Sequence, residues 1–131
     1  MTLEPEFLEL EDVLEFHEEL LALHGGETGV RDLGLLESAL AQPRAMFGGE
    51  YLHGDLFLMA AAYAFHIAEN QPFVDGNKRT ALVTALTFLE LNGFSVDALS
   101  DRLYLAMLAV GDGRLDKAGL ALLLRELAPR P

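Results

Sequence analysis

Residues Asn70 to Leu82 read NQPFVDGNKRTAL, and the two adjacent cations in that stretch, Lys78 and Arg79, set the question from which the rest of the chain is read. Pro72 and Gly76 mark a tight turn, because proline fixes φ and stops a helix while glycine admits φ values closed to other residues. From Asn77 onward, Ala81, Leu82, Ala85, Leu86, Phe88 and Leu89 recur at helical spacing as far as Asn92–Gly93, where a left-handed stop is expected. Lys78 and Arg79 therefore fall in the first turn of a helix. That end carries about half a positive charge, so each cation placed there costs about 0.3–1 kcal/mol unless something negative lies among them. The stretch predicts a bound anion.

The helical pattern continues on both sides of this turn. Upstream, DLFLMAAAYAFHIAEN opens on Asp55 as a capping residue and is apolar on nearly every side, which predicts a helix buried in the middle of the fold. Before it, RAMFGGEYLHG (44–54) has three glycines and no helical period, so a loop or short hairpin is expected, able to act as a flap. Leu10, Val13, Leu14, His17, Leu20, Leu21 and His24 share one face of a first helix stopped by Gly25–Gly26. Asp32 caps a second helix that Pro43 ends. Downstream, Ser100–Asp101 open a helix through Val110, Asp116 caps a last one through Leu127, and APRP frays. The predicted class is all-α, about six helices with one short flap.

Composition narrows the function. The chain has 131 residues, 51% of them hydrophobic, which suits one domain over residues 1–131 that buries about two-thirds of its unfolded surface. No apolar run of about eighteen residues occurs, and the acidic opening MTLEPEFLELED lacks the features of a signal peptide, so neither membrane insertion nor export is expected. The absence of cysteine removes disulfides, thiolate metal cages and a cysteine nucleophile, and fits a cytoplasmic location. With 21 acidic and 9 basic residues the formal charge is −12, which argues against direct nucleic-acid binding, since that relies on clustered Lys and Arg. No Lys or Arg precedes Arg31, and Lys78–Arg79 is the chain's one adjacent basic pair.

At the turn, Gly76 lets a ligand approach the backbone, and the first N–H groups of the next helix point outward. Asn77, Lys78 and Arg79 add side-chain donors, making a nest suited to the phosphates of a nucleotide. Asp75 is the turn's one carboxylate, and beside a polyphosphate its use is to hold Mg²⁺, which takes one or two carboxylates and fills its shell with phosphate oxygens and water. The same residues also read as ordinary turn formers, an N-cap at Asp75, a core plug at Phe73 and a solvated cation pair. A metal site at His17 and His24 is excluded by their seven-residue separation and the lack of other ligands; GDGRLD lacks the oxygen spacing of a calcium loop.

QPFVDGNKRTAL resembles the core signature of the Fic/Doc family, His-x-Phe-x-Asp/Glu-Gly/Ala-Asn followed by Gly or Lys and then Arg. The Lys-Arg-Thr-Ala-Leu continuation is similar to the Doc branch, the death-on-curing toxins of toxin–antitoxin modules. The AMP-transferring Fic branch differs, with Gly where Lys78 stands and a second Arg where Leu82 stands. GVRDLGLLESALAQP, FHIAEN and LTFLELNGF extend the similarity over roughly Leu10 to Leu127. The resemblance implies a helical bundle with Phe73 as buried anchor, Asp75 on Mg²⁺, Gly76 and Asn77 lining the nest, Lys78 and Arg79 on phosphate, and a flap near Arg44–His53 that aligns a target peptide. It further implies transfer of the terminal phosphate of ATP or another nucleotide to a hydroxyl of elongation factor Tu, and a Phd-like antitoxin that covers the site.

The sequence departs from the family at two places. The histidine that takes the proton from the target hydroxyl aligns with Gln71, whose amide can donate and accept hydrogen bonds but cannot hold an extra proton near neutral pH. Glu69 stands where the Doc toxin has an Arg. His53, on an exposed flap, and His66, in the apolar helix, are the candidates for a substitute base. Two functions are thus expected: a Doc-like phosphotransferase, less readily a nucleotidyltransferase, or a catalytically impaired nucleotide-binding or protein-interaction module.

Overall fold

A helix begins where something satisfies its first free N–H groups, and most starts in this chain carry their own acceptor. In the computed structural model, which describes residues 4–97 and 100–129, the elements run α1 (Leu10–His24), α2 (Leu33–Ala41), β1 (Met46–Phe47), β2 (Glu50–Tyr51), α3 (Leu56–Asn70), α4 (Asn77–Leu91), α5 (Asp101–Gly111) and α6 (Lys117–Leu127). Side chains of Asp32, Asp55, Ser100 and Asp116 accept from the backbone of Leu35, Leu58, Arg102 and Gly119 at the starts of α2, α3, α5 and α6. At α1, Asp12 accepts from the N–H of Glu9. At α4, opened by Gly76, no side chain among the described residues accepts from the N–H groups that follow the N-cap residue.

These elements reproduce the helices expected from spacing, and the stretch 44–54 resolves to an antiparallel hairpin, Met46 opposite Tyr51 and Phe47 opposite Glu50, turned by Gly48–Gly49. The all-α bundle with a small flap is the architecture found. The fraying expected over APRP does not begin at Ala128, which is buried in the core with its N–H bonded to the Leu124 carbonyl; Arg130 and Pro131 lie outside the described residues, as do two residues of the link into α5.

The core explains the unusual composition of α3. Met59, Ala60, Ala61, Ala62, Tyr63, Ala64 and Ile67 are all fully buried, because α3 packs against α2, α4, α5 and α6 at once. Alanines on a helix surrounded by neighbours let the axes approach closely while larger residues fill the remaining space. One hydrophobic cluster joins all six helices, with Val13, Leu36, Ile67, Phe88, Leu103 and Leu120 each contributing from a different one. The Tyr63 hydroxyl accepts from the N–H of Leu8 at 3.0 Å and ties the segment before α1 to the centre. Burial pushes its phenol up to about 12.

This packing gives a direct test. Ala64→Leu inserts three carbons where no space exists and is expected to destabilise the protein by about 1–3 kcal/mol. The shift is read as a lowered urea midpoint, and an unchanged midpoint would show that α3 is less tightly surrounded than described.

Candidate functional site

The turn between α3 and α4 is fastened from three directions. Asn77 faces back on it: its Oδ1 accepts from the N–H of Phe73 at 2.9 Å and its Nδ2 donates to the carbonyl of the same residue at 3.0 Å. Arg31 reaches over from the loop before α2, donating from Nε to the Gln71 carbonyl and from Nη2 to the Asn70 carbonyl, so a cation covers the negative end of α3. The backbone of the same loop adds bonds from Arg31 and Asp32 to the Pro72 carbonyl and from Val74 to the Gly29 carbonyl.

The third fastening comes from α1. The buried ring of His17 stacks on Phe73 with centroids 3.8 Å apart and planes 10° from parallel, and its Nε2 donates to the Asp75 carbonyl at 2.8 Å. Phe73, 1% exposed, is thereby held as the anchor its apolar ring suggested. The sequence reading placed His17 only on an apolar face and missed this role. A polar residue at a fully inward position of the first helix was the available signal.

Two backbone conformations follow from how tightly the turn closes. Gly76, φ 79° and ψ 18°, sits in the left-handed region with the His17 ring and the Leu21 side chain nearby, and is the helix N-cap that the carboxylate of Asp75 was alternatively expected to be. Gln71 also lies in that region, φ 46° and ψ 58°, the only described residue other than glycine with positive φ. A side chain held there costs about 1–3 kcal/mol and persists because the surroundings impose it.

The result is an open cleft of about 550 Å³, within the range of small-molecule sites, between this turn and one face of α5. Gln71, Asp75, Gly76, Asn77, Lys78 and Arg79 all line it, joined by Glu69, and α5 contributes Tyr104, Leu108 and Gly111. The structure brings together every motif residue of the sequence reading except the buried Phe73. It assigns some of them differently. The Asn77 amide is engaged by Phe73 through Oδ1 and one Nδ2 hydrogen, so it shapes the turn and keeps one N–H as a donor at the cleft it lines. Lys78 lies along α5, its Cε 2.8 Å from the position a Cβ on Gly111 would take. The carbonyl end of α5 therefore supplies part of the negative charge that the cation needs. Arg79 is exposed and makes no ion pair among the described residues.

Asp75 is an exposed carboxylate whose Oδ1 accepts from the N–H of Gly76 at 2.9 Å and whose Oδ2 accepts from the N–H of Glu27 at 3.2 Å. A Cβ on Gly26 would stand 2.7 Å from Oδ2, so only glycine lets this loop approach the carboxylate. A second, mostly apolar groove of about 410 Å³ lies between α1 and residues 26–30, lined by Leu14, Leu21 and Val30, and carries no comparable set of reactive groups.

Neither candidate substitute base reaches the cleft. His53, expected on an exposed loop, is 9% exposed, and both it and His66 accept from the Lys117 ammonium of α6, at 3.2 and 3.0 Å on their Nε2 atoms. The lysine can only donate, so each imidazole is neutral with its proton on Nδ1. Burial first, then the lysine charge, lowers both pKa values, the Gln42 carbonyl opposing this at His53, while the neighbouring His53 adds to the shift that brings His66 to about 4. The physical reason for the correction is that the chain after β2 folds inward under α6.

Cleft, turn and helical core define a member of a helical-bundle class whose site lies at the start of a helix. The particular family is then shown by comparison: residues 7–89 match the Fic/DOC family, and the chain belongs to it, within the Doc branch. It is 43% identical over 102 residues to Toxin Doc of Mycolicibacterium smegmatis, covering 73% of this chain and 76% of that protein. It is 35% identical over 119 residues to Protein kinase doc of Escherichia phage P1, covering 89% and 91%.

The histidine cluster carries a pH prediction. In the folded protein His66 titrates near 4 rather than near the ordinary 6.5, so between these values the unfolded chain binds the extra proton. The stability this group contributes is complete above about pH 6.5 and is lost as the pH falls toward about 4. Urea melts of the native protein and of His66→Asn between pH 7 and 5 are expected to diverge, the variant showing the shallower decline. Parallel declines would contradict the neutral cluster.

Proposed function

We propose that this chain is a Doc-type toxin that transfers the terminal phosphoryl group of a nucleotide to a hydroxyl on a protein, with elongation factor Tu as the target and a Phd-like antitoxin as its silencing partner. The observation that carries the reading is the uncapped start of α4, where free N–H groups, Arg79, Lys78 and Asp75 meet in one cleft. Membership of the Doc branch supports it, since relatives bear the names Toxin Doc and Protein kinase doc.

The donor set fits Mg²⁺. Each Asp75 oxygen accepts one backbone bond and keeps a free lone pair, and Glu69 offers a second exposed carboxylate on the same cleft. Asp75 and Glu69 would hold the ion, which would supply charge neutralisation beside the phosphates of ATP or another nucleotide. The chain itself does the rest. Free N–H groups of α4 and the Arg79 guanidinium hold the transferring phosphoryl group, and Lys78, poised at the end of α5, neutralises charge on the leaving phosphate. The target hydroxyl oxygen bonds to phosphorus as the bond to the bridging oxygen breaks, leaving the nucleoside diphosphate. Gln71, exposed in the cleft, accepts a hydrogen bond from that hydroxyl and aims it, while the proton passes to phosphate oxygens or water.

A second reading rests on one specific observation: no imidazole lines the cleft, and Gln71 cannot take the proton. The chain would then be a nucleotide-binding or protein-interaction module of impaired catalysis. Incubation with Mg²⁺, labelled ATP and purified elongation factor Tu separates the two. Labelling by the native protein is expected, and Gln71→His is expected to accelerate it about 10²-fold, the lower end of what a positioned base contributes. Labelling by the variant alone favours the impaired module; labelling by neither overturns the transferase.

Arg79→Ala tests the nest separately. Loss of one charge-assisted contact to phosphate, worth about 1.5–3 kcal/mol, is expected to weaken ATP binding in calorimetry at least about tenfold with the helical circular dichroism unchanged. Equal affinity would remove the phosphate from this position.

A further inference from the structure

The face of α5 that borders the cleft has a graded composition. Tyr104, Leu108 and Gly111 stand at i, i+4 and i+7, one stripe of a helix, and all three line the cleft. The opposite stripe, Leu103, Ala106, Met107 and Val110, is buried in the core. The cleft stripe therefore is not needed to dock the helix. At its Gly111 end the side chain of Lys78 fills the space that a Cβ would occupy, so this end is cationic. At its other end Tyr104 presents a ring that is 65% exposed, and Ala68 of α3 adds only a methyl group beside it.

The seven helical rises from Tyr104 to Gly111 span about 10 Å, comparable with the length of a nucleoside triphosphate from its terminal phosphate to its base. A charged end, an apolar aromatic end and this separation match the two halves of a nucleotide. We infer that Tyr104 is a binding residue for the nucleobase, a flat platform on which the base of the donor stacks while its phosphates lie at Lys78, Arg79 and the start of α4. This rests on the nucleotide reading above and extends it to the base.

Stacking also sets specificity. Every base has a π-face, so a tyrosine platform holds purines of either kind similarly, and adenosine and guanosine triphosphates are accepted to within a few-fold. Leu108, next on the stripe, lies against the sugar and excludes water from one side of it.

The test compares Mg²⁺-ATP with Mg²⁺-tripolyphosphate, which has the phosphates and no base. Native protein is expected to bind ATP more tightly than tripolyphosphate. Tyr104→Ala is expected to lower ATP affinity about tenfold, the scale of one base–aromatic stack, and to leave tripolyphosphate affinity unchanged, while Tyr104→Phe keeps the native value. The chain has no tryptophan and only three tyrosines, so ATP should quench tyrosine emission, tripolyphosphate should not, and the quench should disappear in Tyr104→Phe. Equal loss of both ligands in Tyr104→Ala, or no loss of either, overturns the platform. If native protein binds tripolyphosphate as tightly as ATP, the phosphate cleft stands and the platform alone falls; if it binds neither, both fall.

Discussion

The imidazole of His17 is the contact on which the site depends. It is the one side chain that touches both the apolar and the polar half of the turn, stacking on Phe73 and donating to the carbonyl of Asp75. Phe73 belongs to the core and Asp75 to the cleft, two residues apart. By holding both, His17 couples the position of the carboxylate to the packing of α1. Removing the ring would leave a buried carbonyl without its donor and a gap beside Phe73, two costs of about 1–3 kcal/mol each that arise in the same place.

The opposite side of the turn is organised by charge. α2, α3, α5 and α6 begin with a side chain that satisfies their free N–H groups, whereas α4 begins with glycine and leaves its own exposed to the cleft. Lys78 and Arg79, which should disfavour such a start, are accommodated differently. Lys78 gains the carbonyl end of α5, and Arg79 faces the cleft without an ion-pair partner among the described residues. In a protein with a formal charge of −12, the chain's one adjacent basic pair thus shares this cleft with the carboxylates of Glu69 and Asp75.

His53 and His66 have a structural task. His53 follows directly after the hairpin, His66 lies on α3, and Lys117 begins the last helix, so their shared hydrogen bonds fix the base of the hairpin between two helices. The ammonium of the half-buried Lys117 is held by two neutral rings that accept from it, and the Phe65 ring lies 5.8 Å away. The tip is left free: Met46 and Phe47 are exposed, the latter 81%.

Helix positions, caps, the hairpin and the cluster of motif residues were legible in the sequence by itself, because they rest on local periodicity, on Asp and Ser before apolar runs, and on Pro72 and Gly76 at a turn. The sequence also determined that Gln71 stands without a titratable ring, since that depends on residue identity alone. Contacts between residues distant along the chain were decided only by tertiary structure. His17 meets Asp75 across 58 positions, Lys117 joins His53 and His66 across 64 and 51, and α5 supplies the far wall of the cleft. Side-chain hydrogen bonds of this kind leave no periodic trace, because they depend on which helices the core brings together. The same reason explains why the clamp of Asn77 on Phe73 left no trace in the sequence, and why His53 read as exposed and proved buried.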